Sequence, residues 1–235
     1  FGCTVFVTLN ALETLMKRLY SKDFDYSERY IYNLAKVVPP GHDPHDIAEK
    51  IRKEGVIDQD LLPFKDSLEE FSKPRPITKD LIDKGHTWLN RFDFKHEWLW
   101  TDDLKDISKR HNLIREYLKY SPLGVSVTAW KKNEKGEYSS DGEDNTHWCM
   151  AFKIDDQNRV YIFDSYDQEI KILTADHDIQ FAKRYNIREK SPDEQLTNIR
   201  VSLISLILNY VKSIINKTSK GFGELVEATF SKRQD

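Results

Sequence analysis

Cys3 heads a run in which Phe6, Leu9, Leu12, Met16 and Leu19 recur at helical spacing without proline. The spacing predicts a helix over Cys3–Tyr20 with a thiol in its first turn. Unpaired amides and the positive end of the helix dipole favour an anion there. Both lower a thiol pKa and raise the population of the nucleophilic thiolate. A cysteine taken alone is more often a small buried hydrophobe. His147 opens a predicted strand after a long polar loop, and Asp164 closes the strand that follows. Two antiparallel strands joined by a tight turn can set these residues side by side. A neutral imidazole can then take the thiol proton while a carboxylate holds the other ring nitrogen in one tautomer. Taken singly, His147 reads as a satisfied surface histidine and Asp164 as a strand-end aspartate. Taken in order, the three have a layout that a nucleophile, a base and an orienter would need.

Several elements must position these groups. Val5, Val7, Ala11 and Leu15 add apolar residues on further faces of the first helix, which predicts that it is central and buried. Ser27 is a candidate N-cap for a second short helix. Pro39-Pro40-Gly41 is a turn, and Asp43-Pro44 opens a third helix over 45–54 that Gly55 closes. Residues 65–120 read as mostly polar, helical or irregular, with an aromatic cluster at Trp88, Phe92, Phe94, Trp98 and Trp100. Beyond Pro122 the character changes. The alternating, β-branched stretch 125–130 predicts a strand, Lys131 to Asp144 a charged loop, and further strands follow near 147–154, 159–164, 168–173 and 179–187. Asp155-Asp156-Gln157-Asn158 is a hairpin turn. Ser191-Pro192-Asp193 starts a long amphipathic helix to about Lys217.

The local motifs give this order a meaning. Cys3-Thr4-Val5-Phe6 stands like Cys-Trp-Ala-Phe at a central helix. Asp25-Tyr26-Ser27-Glu28-Arg29-Tyr30 looks like a Leu-Ser-Glu-Gln helix start, and Gly55 to Phe64 is similar to a stretch ending in Tyr-Pro-Tyr. Pro122 to Val127 matches a Gly-Pro-Val-Ser-Val strand. His147-Trp148 begins a histidine strand, and Phe163-Asp164-Ser165-Tyr166 stands where Lys-Asn-Ser-Trp is expected. With these motifs the chain resembles the papain-like cysteine peptidases, in which the histidine follows the nucleophile by roughly 130–150 residues. The resemblance covers most of residues 1–173. It implies an α+β fold of two lobes: a helical N-terminal lobe over about 1–120 and an antiparallel β-barrel-like lobe over about 121–190. A helical appendage over 191–235 follows. It also implies peptide-bond hydrolysis through a thioester, with Cys3 as nucleophile, His147 as base and then acid, and Asp164 as orienter. Substrate contacts would fall to Gly41, Thr128, Thr146 and Tyr166, with neither metal nor cofactor.

The departures are specific. Asp164 replaces an asparagine, Tyr166 replaces the tryptophan that covers the histidine, and Thr4 replaces the tryptophan after the nucleophile. The oxyanion-hole glutamine, six residues before the nucleophile, would precede Phe1, so the chain reads as an N-terminally truncated member. Its loss would cost about 100- to 1,000-fold in rate. The absent disulfide cysteines suggest a bacterial, archaeal or viral relative in a cytoplasmic or host-cell intracellular setting. Two other functions fit the same residues: a papain-fold binding or scaffold module, and a transpeptidase or ligase using the same thiol.

Other signals are weaker. His42-Asp43-Pro44-His45 lacks a third ligand and reads as a solvated loop. Cys149, two residues past His147 on one strand face, reads as a core thiol. Nothing activates Ser165. The acidic loop Glu134–Asp144 borders the expected cleft. In the last helix Ile199, Leu203, Leu206, Ile207, Tyr210 and Ile214 follow helical spacing, so residues 196–217 offer a surface to the host domain, a protein partner or a membrane.

Composition sets the bounds. The chain has 235 residues, ample for a buried core, and its 39% hydrophobic and 12% aromatic content is that of a folded chain. A net charge of −3 gives no support to nucleic-acid binding through phosphate neutralisation. Two cysteines cannot staple a disulfide scaffold. No uncharged apolar run approaches the roughly 20 residues that span a bilayer.

Overall fold

The computed structural model describes residues 2–64, 67–141, 143–167, 169–197, 200, 201 and 203–213. Chain contacts divide it into two units, one ending at Glu189 and one beginning at Lys190.

In the first unit, helix α1 spans Cys3–Tyr20, the range its periodicity predicts. Val5, Leu9, Leu12 and Met16 are fully buried, and the helix packs against the sheet that follows. Helix α2 (Glu28–Ala35) starts at Ser27, whose Oγ accepts from the Tyr30 amide. Helix α3 (Pro44–Glu54) starts at Asp43, with Pro44 in its first turn where a missing amide costs nothing. Short helix α4 (Leu68–Ser72) precedes α5 (Lys79–Arg91) and α6 (Ile107–Tyr117).

One mixed sheet has the strand order β1-β8-β2-β5-β6-β7-β4-β3. The strands are β1 (Phe92–Trp98), β2 (Leu123–Val127), β3 (Lys131–Lys132), β4 (Tyr138–Ser139), β5 (His147–Ile154), β6 (Val160–Phe163), β7 (Ile170–Leu173) and β8 (Ala182–Glu189). All pairings are antiparallel except the contact of Tyr138 with Leu173. This is the expected α+β class. Two details correct the reading of the sequence. The stretch read as helical or irregular contains β1, whose Phe92 and Phe94 point into the core while Asp93 and Lys95 face outward. Its alternation only pays off through pairing with β8, more than 80 residues away. The strand expected to reach residue 130 ends at Val127, and the charged loop after it carries the small strands β3 and β4.

The core falls into two clusters. One joins α1, α2 and α3 to Phe92, Phe94, Tyr185 and Ile187. The other fills the sheet around Val125, Val127, Cys149, Ile162 and Leu173, with Ile114 of α6 against it. Burying each such aliphatic side chain contributes about 1.5–3 kcal/mol.

In the second unit, residues 192–197 and 203–213 are helical. Ser191 and Glu194 cap that helix reciprocally: the Glu194 amide donates to Ser191 Oγ, and the Ser191 amide donates to Glu194 Oε2. Leu203, Leu206, Ile207 and Tyr210 lie on it, whereas Ile199, Ile214 and the expected end near Lys217 lie outside the described residues. Among the described residues, no helix is long and apolar enough to cross a membrane.

Candidate active site

Sheet register brings the histidine and the aspartate together. Val127 pairs with His147, and Val125 with Cys149, across β2 and β5. On the other side of β5, Met150 pairs with Phe163, so Asp164 emerges beside Cys149 and two positions along the strand from His147, on the same face. His147 Nε2 lies 2.8 Å from Asp164 Oδ1. Asp164 is fully buried, and it also accepts the Tyr166 amide at 3.1 Å.

The thiol arrives from the other lobe. Cys3 is partly exposed at the first residue of α1. Among the described residues, no side chain caps that helix, and its first turn carries no acidic residue. Cys3 interacts with the His147 imidazole and with the Trp148 backbone. With Nε2 committed to Asp164, Nδ1 is the ring nitrogen left for sulfur.

The charges follow from these contacts. Burial pushes the Cys3 thiol up, but the hydrogen bond and positive charge of His147 and the Trp148 backbone outweigh it, so the thiol is held below its ordinary value. Burial disfavours a charged His147, yet Asp164 and the two thiols raise it to about 12. Burial likewise pushes Asp164 up, while His147, Lys171 and the Tyr166 amide bring it down to about 2. Each direction favours a thiolate–imidazolium pair backed by a carboxylate.

A cavity of about 630 Å³ opens at this site. Cys3, Gly41, Thr146 and His147 line it, with Trp98, Trp100, Trp148 and Phe181 forming an aromatic wall. Its floor is tied in place: Ser126 Oγ donates to Asn145 Oδ1 at 2.6 Å and accepts the Phe181 amide at 2.8 Å. Of the four expected substrate contacts, Gly41 and Thr146 line the cavity and Thr128 and Tyr166 do not. Thr128 is buried, and its hydroxyl donates to the carbonyls of Glu143 and Asp144. Tyr166 stands edge-on to His147 with ring centroids 6.2 Å apart.

Three features escaped the sequence reading. Trp130 stands edge-on to His147, with centroids 5.5 Å apart. Lys171, buried on β7, donates to Asp164 Oδ2 at 2.8 Å. The aromatic wall gathers residues from β1, the segment just after it, β5 and the segment before β8. Only the aromatic cluster that includes Trp98 and Trp100 signalled any of these in advance.

One donor group, formed by His147, Cys149 and Asp164, has its ligand atoms within 4.8 Å of one another. A cation there would meet the Lys171 ammonium on Asp164 and would break the His147–Asp164 bond, so these residues fit a proton relay better than a metal centre.

A thiol-headed helix in one lobe, a histidine and an aspartate on the antiparallel sheet of the other, and a cleft at their junction make up the papain-like fold. Solved structures of this fold are similar to the chain over most of the first unit. The cysteine protease CMS1MS2 of Carica candamarcensis, in complex with E-64, is 10% identical with a TM-score of 0.56, covering 79% of this chain and 88% of that one. The bromelain protease of Ananas comosus, also with E64, is 13% identical with a TM-score of 0.56 and the same coverage. Digestive procathepsin L 3 of Tenebrio molitor larval midgut is 13% identical with a TM-score of 0.58, covering 78% of this chain and 63% of that one. At these identities the likeness is one of fold. No family model and no curated protein matches the chain.

Proposed function

We propose that the chain is a cysteine peptidase. The Cys3 thiolate attacks the scissile carbonyl, with its own backbone amide as one donor to the oxyanion. His147, as imidazolium, protonates the leaving amine and a thioester forms. A water then gives its proton to His147, attacks the thioester and releases the acid. Asp164 holds the imidazole in one tautomer throughout. Gly41 and Thr146 contact the substrate backbone, and the wall of Trp98 and Phe181 favours a large apolar side chain beside the cut.

One observation carries this reading: His147 bonds Asp164 through Nε2 at 2.8 Å and meets a pKa-lowered thiol with its other face. The test is hydrolysis of a fluorogenic peptide panel, with E-64 labelling read by peptide mapping. The expected result is cleavage that Cys3→Ala abolishes, with E-64 attached to Cys3. Cleavage that survives Cys3→Ala would reject the assignment, and so would labelling of Cys149 that spares Cys3.

A further inference from the structure

The mechanism leaves one buried charge at the site without a task. Lys171 is 2% exposed, and its ammonium lies 2.8 Å from Asp164 Oδ2 and 2.5 Å from Asp167 Oδ2. Its other neighbours are aromatic: the Trp130 ring centroid at 4.8 Å and the Tyr138 centroid at 5.8 Å. The same Trp130 indole stands against His147. Imidazole, carboxylate, ammonium and indole thus form one closed group, with His147 on Oδ1 and Lys171 on Oδ2.

A carboxylate beside a catalytic imidazole has two effects. Its oxygen fixes the tautomer, which helps. Its full negative charge also holds the proton on the imidazolium, which hinders an acid that must surrender that proton to a leaving amine. A neutral amide, expected at position 164 from the resemblance, gives the first effect without the second. An ammonium on the far oxygen of a carboxylate achieves the same end, because it cancels the charge and leaves the near oxygen free to accept. It also keeps a fully buried carboxylate ionised, which burial by itself opposes.

We propose that Lys171 is a positioning residue of the site, pairing with Asp164 to make an ionised but charge-compensated orienter for His147. The proposal rests on the reading of Cys3 and His147 as nucleophile and base. The titratable groups that face Asp164 are His147 and Cys149 from β5, Lys171 from β7, Asp167 from the turn between β6 and β7, and Cys3 from α1 through His147; Tyr138 of β4 faces Lys171. Among these, the cations at neutral pH are Lys171 and the His147 imidazolium, and Lys171 takes no part in the proton transfers.

The test measures alkylation of Cys3 by iodoacetamide against pH in the intact chain, with the Cys3 peptide quantified by mass spectrometry. This readout needs no peptidase activity. Lys171→Met leaves Asp164 uncompensated, so its carboxyl protonates more readily, and the acid limb of the profile should move up by about one pH unit or more. Peptide kcat should fall about tenfold or more. Asp164→Asn combined with Lys171→Met restores a neutral orienter, and should return the limb to its wild-type position and recover most of kcat. Folding of the double variant when Lys171→Met alone unfolds would also support the pairing. An unmoved limb in Lys171→Met would overturn it, as would a double variant as impaired as the single one, or failure of both variants to fold. Absence of peptide cleavage in the wild type, with the alkylation profiles as expected, would remove the peptidase reading and leave the pairing standing.

Discussion

Trp130 stands edge-on to His147, its ring plane turned 84° from the imidazole and its centroid 5.5 Å away. Tyr166 also meets His147 edge-on but is 81% exposed, so it excludes little water. Of the two rings edge-on to His147, the indole is the less exposed. An aromatic contact of this kind contributes about 0.5–1.5 kcal/mol beyond its buried area. Trp130→Ala should lower kcat/KM about tenfold, whereas Tyr166→Ala should change it by less than about threefold. Steady-state kinetics on one peptide compares the two.

Cys149 is fully buried, and burial first of all pushes its thiol up to about 11, despite its contact with His147. Cys3, by contrast, is partly exposed with a lowered pKa. Thiolate fraction and access both favour Cys3. Iodoacetamide at pH 7 should modify Cys3 at least about 100-fold faster than Cys149. Cys149→Ala should leave kcat within about fivefold of wild type, a modest packing loss. Peptide mapping over a time course measures the first ratio.

Glu13 on α1 is raised to about 8, mainly by burial and further by the charges of Glu28 and Asp25, against the bond from the Tyr26 amide to Glu13 Oε1 at 2.8 Å. A carboxyl whose folded pKa lies above its unfolded value binds a proton that the unfolded chain has lost. The stability it supports is complete below about pH 4.5 and declines as the pH rises to about 8. Glu13→Gln keeps the carbonyl acceptor for Tyr26 and removes the charge. It should stabilise the chain by about 1–3 kcal/mol at pH 8 and leave it nearly unchanged at pH 4. Urea unfolding at the two pH values decides this. Equal effects at both would sink the prediction.

Gly85 in α5 lies against the end of α3. A Cβ built on it would come within 2.1 Å of the Glu54 carbonyl oxygen and 2.6 Å of the Tyr30 hydroxyl. The neighbouring Gly55 ends α3 with φ at +71°. Alanine at position 85 would add about 1 kcal/mol of helix propensity, but the backbone contact cannot yield. Gly85→Ala should destabilise the fold by about 1–3 kcal/mol net. That corresponds to roughly 2–4 °C of Tm for each kcal/mol in a chain of this length, measurable by thermal melting.

Much of the site was legible in the residues alone because its parts announce themselves locally. The first helix, the caps at Ser27 and Asp43 and the hairpin turn at 155–158 each depend on a few adjacent side chains. The ordered thiol, imidazole and carboxylate needed only motif order. Thr128 shows the limit: the resemblance suggested a substrate contact there, but its hydroxyl donates to the carbonyls of the 143–144 loop instead.

By itself, then, the sequence determined the α+β class, the thiol at a helix N-terminus and the histidine strand, since these follow from periodicity, capping and turn chemistry within short windows. Only the tertiary structure decided the rest. In Ile170-Lys171-Ile172-Leu173, alternation alone would bury the isoleucines and expose the lysine. The register of β7 on β6 instead turns Ile170 outward and Lys171 onto Asp164. Shifting a strand by one residue exchanges its two faces, and that choice is made by pairings between distant segments. Whether a buried lysine finds its carboxylate, or a tryptophan its imidazole, is settled at that range.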